Sequence, residues 1–474
     1  VSVVGRLLAR GLRPGQPLRV LAASGQLGNG VPEAALRAGL ARDPHVLGCD
    51  MGSIDVGPAY LGGGRIATSP AITRRDLRMV IQGARQIGVP LLIGSAGTAG
   101  AAPHLGITLD MIREIAREDG LTLRVAVIRA DMDRAWLRAM AAAGRVQPIG
   151  QIGALTAEAV DGAAHVVGQM GTEAFLRALA LEPDIVLAGR ACDTAVFAAV
   201  PLLLGYPAGP ANHMAKIIEC TSLCCLPGGR DAMLGTLSGD SFDLESMNPD
   251  RAATPVSVAA HSLYEQADPL RVYEPDGMMD TTHARYEALD ARRVRVSGAT
   301  WTPATQHSIK VEGATWCGER AVLLASCCDP RVIEHRQAIA TGVRRIVADI
   351  IPGAAGQDYS LTFRAYGTGE TSLFPGGRNG LPVPAEVFFM VECIAPTADL
   401  AKAVVGVAKQ NMLHFGFPGR LSTGGNIAFP FTPPELPAGA AYRYSIYHVA
   451  ECDDLAAAFP VELEVIGAPV AIHA

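Results

Sequence analysis

No apolar run in this 474-residue chain reaches the roughly 18 residues that a membrane-spanning helix needs. The longest candidate, residues 197–204, is far shorter, so no membrane association is expected. Basic residues never gather into a block of more than a few, and the formal net charge is −6. A nucleic-acid groove needs a basic stripe, so no nucleic-acid partner is expected. Charged residues are scarce at 18% against 49% hydrophobic, which excludes a disordered chain. The first 15 residues interleave Arg6, Arg10 and Arg13 with apolar positions, where a secretory signal would be uninterrupted. The ten cysteines form no C-x-x-C pair. In a chain of this size without a signal they read as reduced thiols of a cytoplasmic protein.

Two familiar nucleotide signatures are also missing. The first glycine loop, residues 25–30, has the order G-x-x-G-x-G, not the dinucleotide order G-x-G-x-x-G. The loop at 94–100 has no P-loop lysine. Neither NAD nor ATP is therefore expected as a cofactor.

What is present is a succession of short apolar runs, each ending in glycine or a polar cluster and followed by a helical pattern. Residues 18–23, 45–50, 89–93, 123–128 and 184–188 read as buried strands, and 164–169 as a short one. Residues 74–87 carry Leu77, Val80, Ile81, Ala84 and Ile87 at helical spacing. The pattern predicts an α/β fold with a mostly parallel sheet flanked by helices, over residues 16–234. After about residue 226 the texture changes, residues 241–255 read as turn-rich, and strand-like and helical pieces follow. Residues 235–474 are expected to form a second, α+β domain that contributes to the cleft.

In open parallel sheets ligands bind beyond the carboxyl ends of the strands. Here those ends carry Asp50, Ser53 and Asp55; then Gly94, Ser95, Gly97 and Thr98; then Arg190 and Asp193. Glycine lets a ligand approach the main chain, and helix N-termini attract anions. The 94–100 loop is thus expected to cradle a small anionic substrate, with tight strand-to-helix turns as the plain alternative. Arg190 can clamp a carboxylate or phosphate, or pair with Asp193 or another buried carboxylate. Asp50 and Asp55 can serve as acid and base, hold a divalent cation, or act as turn carboxylates. His213, Lys216 and Glu219 share a helical face; His261 and Tyr264 sit three apart; Lys310 and Glu312 point the same way on a strand. Each set offers proton transfer or an ordinary structural pair. The cysteine spacings C-x-x-x-C-C at 220–225 and Cys327–Cys328 match zinc sites poorly, so no metal ligands are assigned.

The segments CDMGSIDVGPAYLG (49–62), LLIGSAGTAGAAPHL (91–105), VGQMGTEAF (167–175), IVLAGRACDTAVFA (185–198), HMAKIIEC (213–220), TPVSVAAHSLYEQADPLRVYEPDGMMD (254–280), IKVEGA (309–314), PGRLSTGGNIAFPF (418–431) and YRYSIYHVAECDD (442–454) resemble the acyclic terpene utilisation family. The resemblance runs collinearly from about residue 18 onward. It implies a pathway of small branched or unsaturated carboxylic acids and their CoA thioesters. It carries over Asp50, Asp55, His261, Lys310 and Glu312 as catalytic candidates. Ser53, Gly94, Ser95, Gly97, Thr98, His104, Arg190, Asp193, His213, Lys216, Tyr264 and Asn426 carry over as substrate-binding candidates. Some members have a C-terminal extension or a separate small subunit; this chain ends soon after 454, so such a partner would be another chain. An uncovered sheet edge points to a homo-oligomer. The reading is an enzyme of carboxylate or acyl-CoA catabolism, a lyase/hydratase or isomerase using acid–base chemistry, with a CoA thioester open as substrate and a divalent metal open as cofactor. A non-catalytic ligand-binding or complex-forming subunit and a metal-dependent hydrolase stand as alternatives.

Overall fold

The computed structural model describes residues 2–264, 267–351, 358–369, 384–421 and 427–467. The chain divides into two compact units, residues 1–315 with 444–474, and residues 316–443.

The first unit is built on a ten-stranded sheet. Its centre consists of β1 (Leu18–Ser24), β2 (Val46–Asp50), β3 (Leu91–Gly94), β4 (Leu123–Ile128) and β5 (Ile185–Ala188). These five are parallel, in the order β1-β2-β3-β5-β4. β2, β3 and β5 are buried at every residue. Burial on both faces is why they appear as unbroken apolar runs rather than alternating ones. Leu21, Leu47, Leu91, Ile93 and Leu187 pack into one core with the helices Pro70–Ile87 and Ala102–Glu118. Val20, Val46, Leu92, Ala126 and Val186 pack into the other, with Thr172–Ala180, Asp193–Leu203 and Ala208–Ile218. Successive strand residues therefore serve opposite cores. The helix Pro70–Ile87 buries Leu77, Val80, Ile81 and Ala84, and ends at Gly88 with φ 68°.

The parallel strands are half of the sheet, not most of it. Antiparallel strands extend both flanks: Met233–Ser238 pairs with β1, Ser241–Ser246 with Met233–Ser238, and Val461–Ile466 with β4. A boundary near residue 234 is therefore not where the packing divides, because the chain after it completes the first sheet. The expected turn-rich stretch from 241 begins as a strand, with Phe242 and Leu244 buried between Asp243 and Glu245. Ala163–Gly168 is a strand as expected, but it joins no parallel neighbour; it pairs antiparallel with residues 311–315.

The first glycine loop binds an anion supplied by the chain itself. The N–H groups of Gly28, Gly30 and Val31 donate to the carboxylate of Asp76 at 3.2, 2.8 and 3.0 Å. Asp76 is fully buried on Pro70–Ile87. Asp76→Ala removes the acceptor of three main-chain donors, two of them buried, and is expected to cost about 2 kcal/mol or more in denaturant unfolding. A loss below about 1 kcal/mol would mean that the loop finds other acceptors.

The second unit contains the later part of strand Ser308–Cys327, paired antiparallel with Val387–Ala395, which pairs in turn with Ser360–Tyr366. The helices Pro330–Ile350 and Ala398–His414 supply Val343, Val347, Val404 and Val405 to its core.

Candidate functional site

The ends of β2, β3 and β5 meet in the first unit, and so do their side chains. The 94–100 loop is held in an unusual backbone conformation: Ser95, Gly97, Thr98 and Gly100 have φ of 49°, 60°, 84° and 69°. Left-handed backbone at a β-branched threonine is strained and persists only when its surroundings enforce it. They do so tightly. A Cβ on Gly100 would lie 2.1 Å from the Arg190 nitrogen.

The expectation of a main-chain anion cradle is corrected here. The N–H groups of Ser95 and Ala96 donate to the carbonyls of Gly189 and Ala188, and those of Thr98 and Gly100 to Ser95 and Ala96. The amide of Ala102, at the start of the next helix, donates to Asp131. The amides of Ser95 and Ala96 join β3 to the end of β5, and those of Thr98 and Gly100 close the loop on itself. His104 lies beneath it, fully buried, with Nε2 2.9 Å from the Tyr60 carbonyl.

The charged groups form a compact centre. Arg190 donates from Nε to Glu312 Oε2 at 3.0 Å and from Nη2 to Oε1 at 3.4 Å. Its Nη1 reaches Ser95 Oγ at 3.4 Å, and Ser95 Oγ also accepts from the Ala191 N–H at 3.2 Å. Lys310 Nζ lies 2.8 Å from Glu312 Oε1, the oxygen that Arg190 Nη2 also reaches, and 4.4 Å from the centre of the Tyr447 ring. Period-two geometry explains why Lys310 and Glu312 point the same way on their strand. Burial alone would raise the Glu312 carboxyl, but Arg190 and Lys310 hold it down at about 2. Of the alternatives for Arg190, an internal carboxylate is the one found: Glu312, with the charge of Asp193 also acting on the guanidinium.

Asp50 is 1% exposed. Its Oδ2 accepts the Gly52 N–H at 2.6 Å, and its Oδ1 is buried without a hydrogen-bond partner. Burial and then Asp193 push this carboxyl well above the usual range, against the pull of Arg190. The close quarters require glycine: a Cβ on Gly94 would lie 2.7 Å from Asp50 Oδ1, and one on Gly52 2.7 Å from Arg190 Nη1.

Asp193 acts electrostatically on further acids that sequence reasoning did not assign to the site. Burial raises Glu219 to about 8 despite Lys216, with Asp193 adding to the rise. Burial likewise raises Glu274 to about 7, against hydrogen bonds from Cys192 and Thr194. The Thr194 hydroxyl donates to Glu274 Oε1 at 2.5 Å. Glu219 was visible as a helical neighbour of Lys216, whose Nζ donates a buried hydrogen bond to it. Glu274 lies in the segment 254–280 that resembles the family, but it was not singled out as a site residue. The Cys192 thiol is pushed well up by burial and then by Glu274, the behaviour of a packed thiol rather than a nucleophile.

Ser53, Thr98, Arg190, Glu312 and Tyr444 line a cleft together with Ile54, Val56 and Tyr60. It is narrow: its free space of about 10 Å³ is room for about one water. Asp55 is exposed on the turn and absent from this lining. His213 is fully buried against Phe242 and Tyr286, with Nε2 2.7 Å from Ser262 Oγ, and does not reach the cleft. His261 stacks on the exposed Tyr264 with ring centroids 5.5 Å apart. Asn426 lies outside the described residues. Among the described residues, no group of three or more His, Cys, Asp or Glu side chains is disposed to hold a metal ion, and no helix is long and apolar enough to cross a membrane.

No curated protein and no solved structure matches this chain. A family model described as acyclic terpene utilisation family protein AtuA matches residues 74–225 and 246–430. Ser95, Arg190, Asp193, Lys310 and Glu312 lie within those residues; Asp50, Ser53 and Tyr444 lie outside them. With well over half of its length matched, the chain belongs to the acyclic terpene utilisation family.

Proposed function

We propose that the protein is an acid–base enzyme acting on a small branched or unsaturated carboxylate, or its CoA thioester, by reversible proton transfer at carbon. The observation that carries this reading is Asp50: a buried carboxyl whose proton affinity is raised well above the usual range, with one oxygen unpartnered beside the Arg190–Glu312 pair. Two carboxyls at one site with proton affinities driven in opposite directions take different roles. Asp50 in its ionised form takes a proton from the carbon next to the carbonyl, and in its protonated form returns it there or at the conjugated carbon. Glu312 stays ionised and acts as a positioning residue that fixes Arg190 and Lys310. These two cations face a single carboxylate and are left to offset the negative charge that grows on the substrate's carbonyl oxygen. Substrate enters by displacement of the partly exposed turn that carries Ser53 and Gly57. Family membership favours the substrate class.

Binding without turnover is the second reading. Solvent exchange separates the two. In D₂O, branched unsaturated acids and their CoA thioesters should take up deuterium at the carbons conjugated with the carbonyl, followed by NMR. Asp50→Asn should slow uptake by about 100-fold or more, the usual worth of a general acid. Lys310→Ala should lower kcat more than it raises KM. Binding without deuterium uptake supports the second reading, and uptake undiminished in Asp50→Asn removes Asp50 from the mechanism.

A further inference from the structure

On one flank the ten-stranded sheet of the first unit ends at the strand Arg285–Ala288, which among the described residues pairs only with Arg293–Ser297. That pairing settles where its main-chain groups point. The Leu289 N–H donates to the Arg293 carbonyl at 2.9 Å, so residues 289, 287 and 285 meet their opposites in hydrogen-bonded pairs. By the alternation of an antiparallel ladder, Tyr286 and Ala288 direct their N–H and C=O groups away from the sheet. An edge of this kind is a template for another strand.

The side chains alternate as well. Tyr286 turns inward, with its ring 6.0 Å from that of His213. Arg285 and Glu287 are exposed and stand on the opposite face. The strand can meet its own copy antiparallel in three registers. Centred on Glu287, it sets two carboxylates against each other, which is destabilising. Centred on Ala288, it sets Glu287 against Leu289. Centred on Tyr286, it sets Arg285 of each copy opposite Glu287 of the other, in the non-hydrogen-bonded pairs where side chains lie closest. Charge selects the third.

The helix Pro255–Ser262 lies against this strand on the Tyr286 side, where Ser262 bonds to the tyrosine hydroxyl. It buries Val258 and Ser262 and leaves Val256, 78% exposed, and Ala260 one turn on. It also packs against residues 221–226, which expose Leu223 and Leu226. Exposed apolar side chains gathered in one region mark an interaction surface. A two-fold axis through Tyr286 and normal to the sheet keeps both copies of this helix on one face, flanking the junction.

We infer that two copies of this chain join at Arg285–Ala288, paired antiparallel about Tyr286, with Val256 and Ala260 of both copies flanking the junction. The surface shares no residue with the Arg190–Glu312 centre and stands or falls independently of the enzyme reading.

Sedimentation equilibrium of the full chain at micromolar concentration should give twice the mass of one chain. Glu287→Arg, which sets arginine against arginine, should weaken the dimer at least tenfold. The swap Arg285→Glu with Glu287→Arg should restore it, since the opposite charges meet again. Val256→Lys should weaken it at least tenfold with near-UV circular dichroism unchanged. The Tyr286 and Ala288 amides should exchange slowly in the dimer and at least tenfold faster once dilution separates the copies; where the swap variant loses its near-UV circular dichroism, this exchange decides. A monomer, a dimer untouched by Glu287→Arg or by Val256→Lys, a folded swap variant that stays monomeric, or exchange of those amides that ignores dilution would each overturn the inference.

Discussion

Glu312→Gln should destabilise the first unit by about 3–5 kcal/mol, the usual cost of removing one partner from a buried ion pair. The side chains of Arg190 and Glu312 are 6% and 3% exposed, and Lys310 approaches the same carboxylate. Neutralising Glu312 therefore leaves two cations, one of them deeply buried, without their shared counter-charge. Denaturant unfolding of the wild type and variant at pH 7 measures the difference, provided that the slopes agree. The coupling is equally testable. Replacing both partners, Arg190→Met with Glu312→Leu, should cost less than the sum of the single changes, since it removes the stranded charge along with its partner. If the double variant is merely additive, the pair is not the unit described here.

Stability should peak below neutrality and fall on both sides, for two different buried groups. His213 is held down at about 3 by burial, against an ordinary 6.5. Between those values the unfolded chain binds a proton that the folded one refuses, so stability is full above pH 6.5 and is lost as pH falls towards 3. The slope is about 1.4 kcal/mol per pH unit for one group. His45 and His261, each lowered to about 4 by burial first, act in the same direction. Glu312, lowered to about 2 from an ordinary 4.5, steepens the loss below pH 4.5 and contributes about 3 kcal/mol in all. Glu219 has the opposite sign. Raised from 4.5 to about 8, it keeps a proton in the folded state that the unfolded state has released. Its contribution is complete below pH 4.5 and declines until pH 8. Glu274, raised to about 7, adds to that decline. Above pH 6.5 the histidine contributions are complete while those of the acids still fall, which sets the alkaline limb. Unfolding free energies from pH 3.5 to 8.5 should show both limbs. His213→Phe should flatten the acid side, and Glu219→Gln should flatten the segment between pH 6.5 and 8. A wild-type profile that is level from 6.5 to 8, or a Glu219→Gln profile parallel to it, would contradict the buried acids.

The legibility of the sequence differed from element to element. β2, β3 and β5 stand out because both of their faces are buried, so no polar position interrupts them. Ser241–Ser246 carries an equally regular signal, the period-two order of Phe242, Asp243, Leu244 and Glu245, yet the surrounding glycine and proline obscure it. The glycine loops were visible, but their amides were not aimed as expected, because hydrogen-bond partners such as Gly189, Ala188 and Asp76 come from distant turns and helices.

The sequence by itself determined the elements and the family: hydrophobic period and glycine punctuation are local properties, and collinear motifs need no coordinates to be matched. It also placed Asp50, Arg190, Lys310 and Glu312 on particular strands or strand ends. Only the tertiary structure decided that Arg190 meets Glu312, 122 positions away, that Asp50 keeps an unpartnered oxygen, and that His213 belongs to the core. Pairing and burial depend on which strands lie side by side and in what register, and that order is fixed by packing across the whole sheet rather than by any one segment.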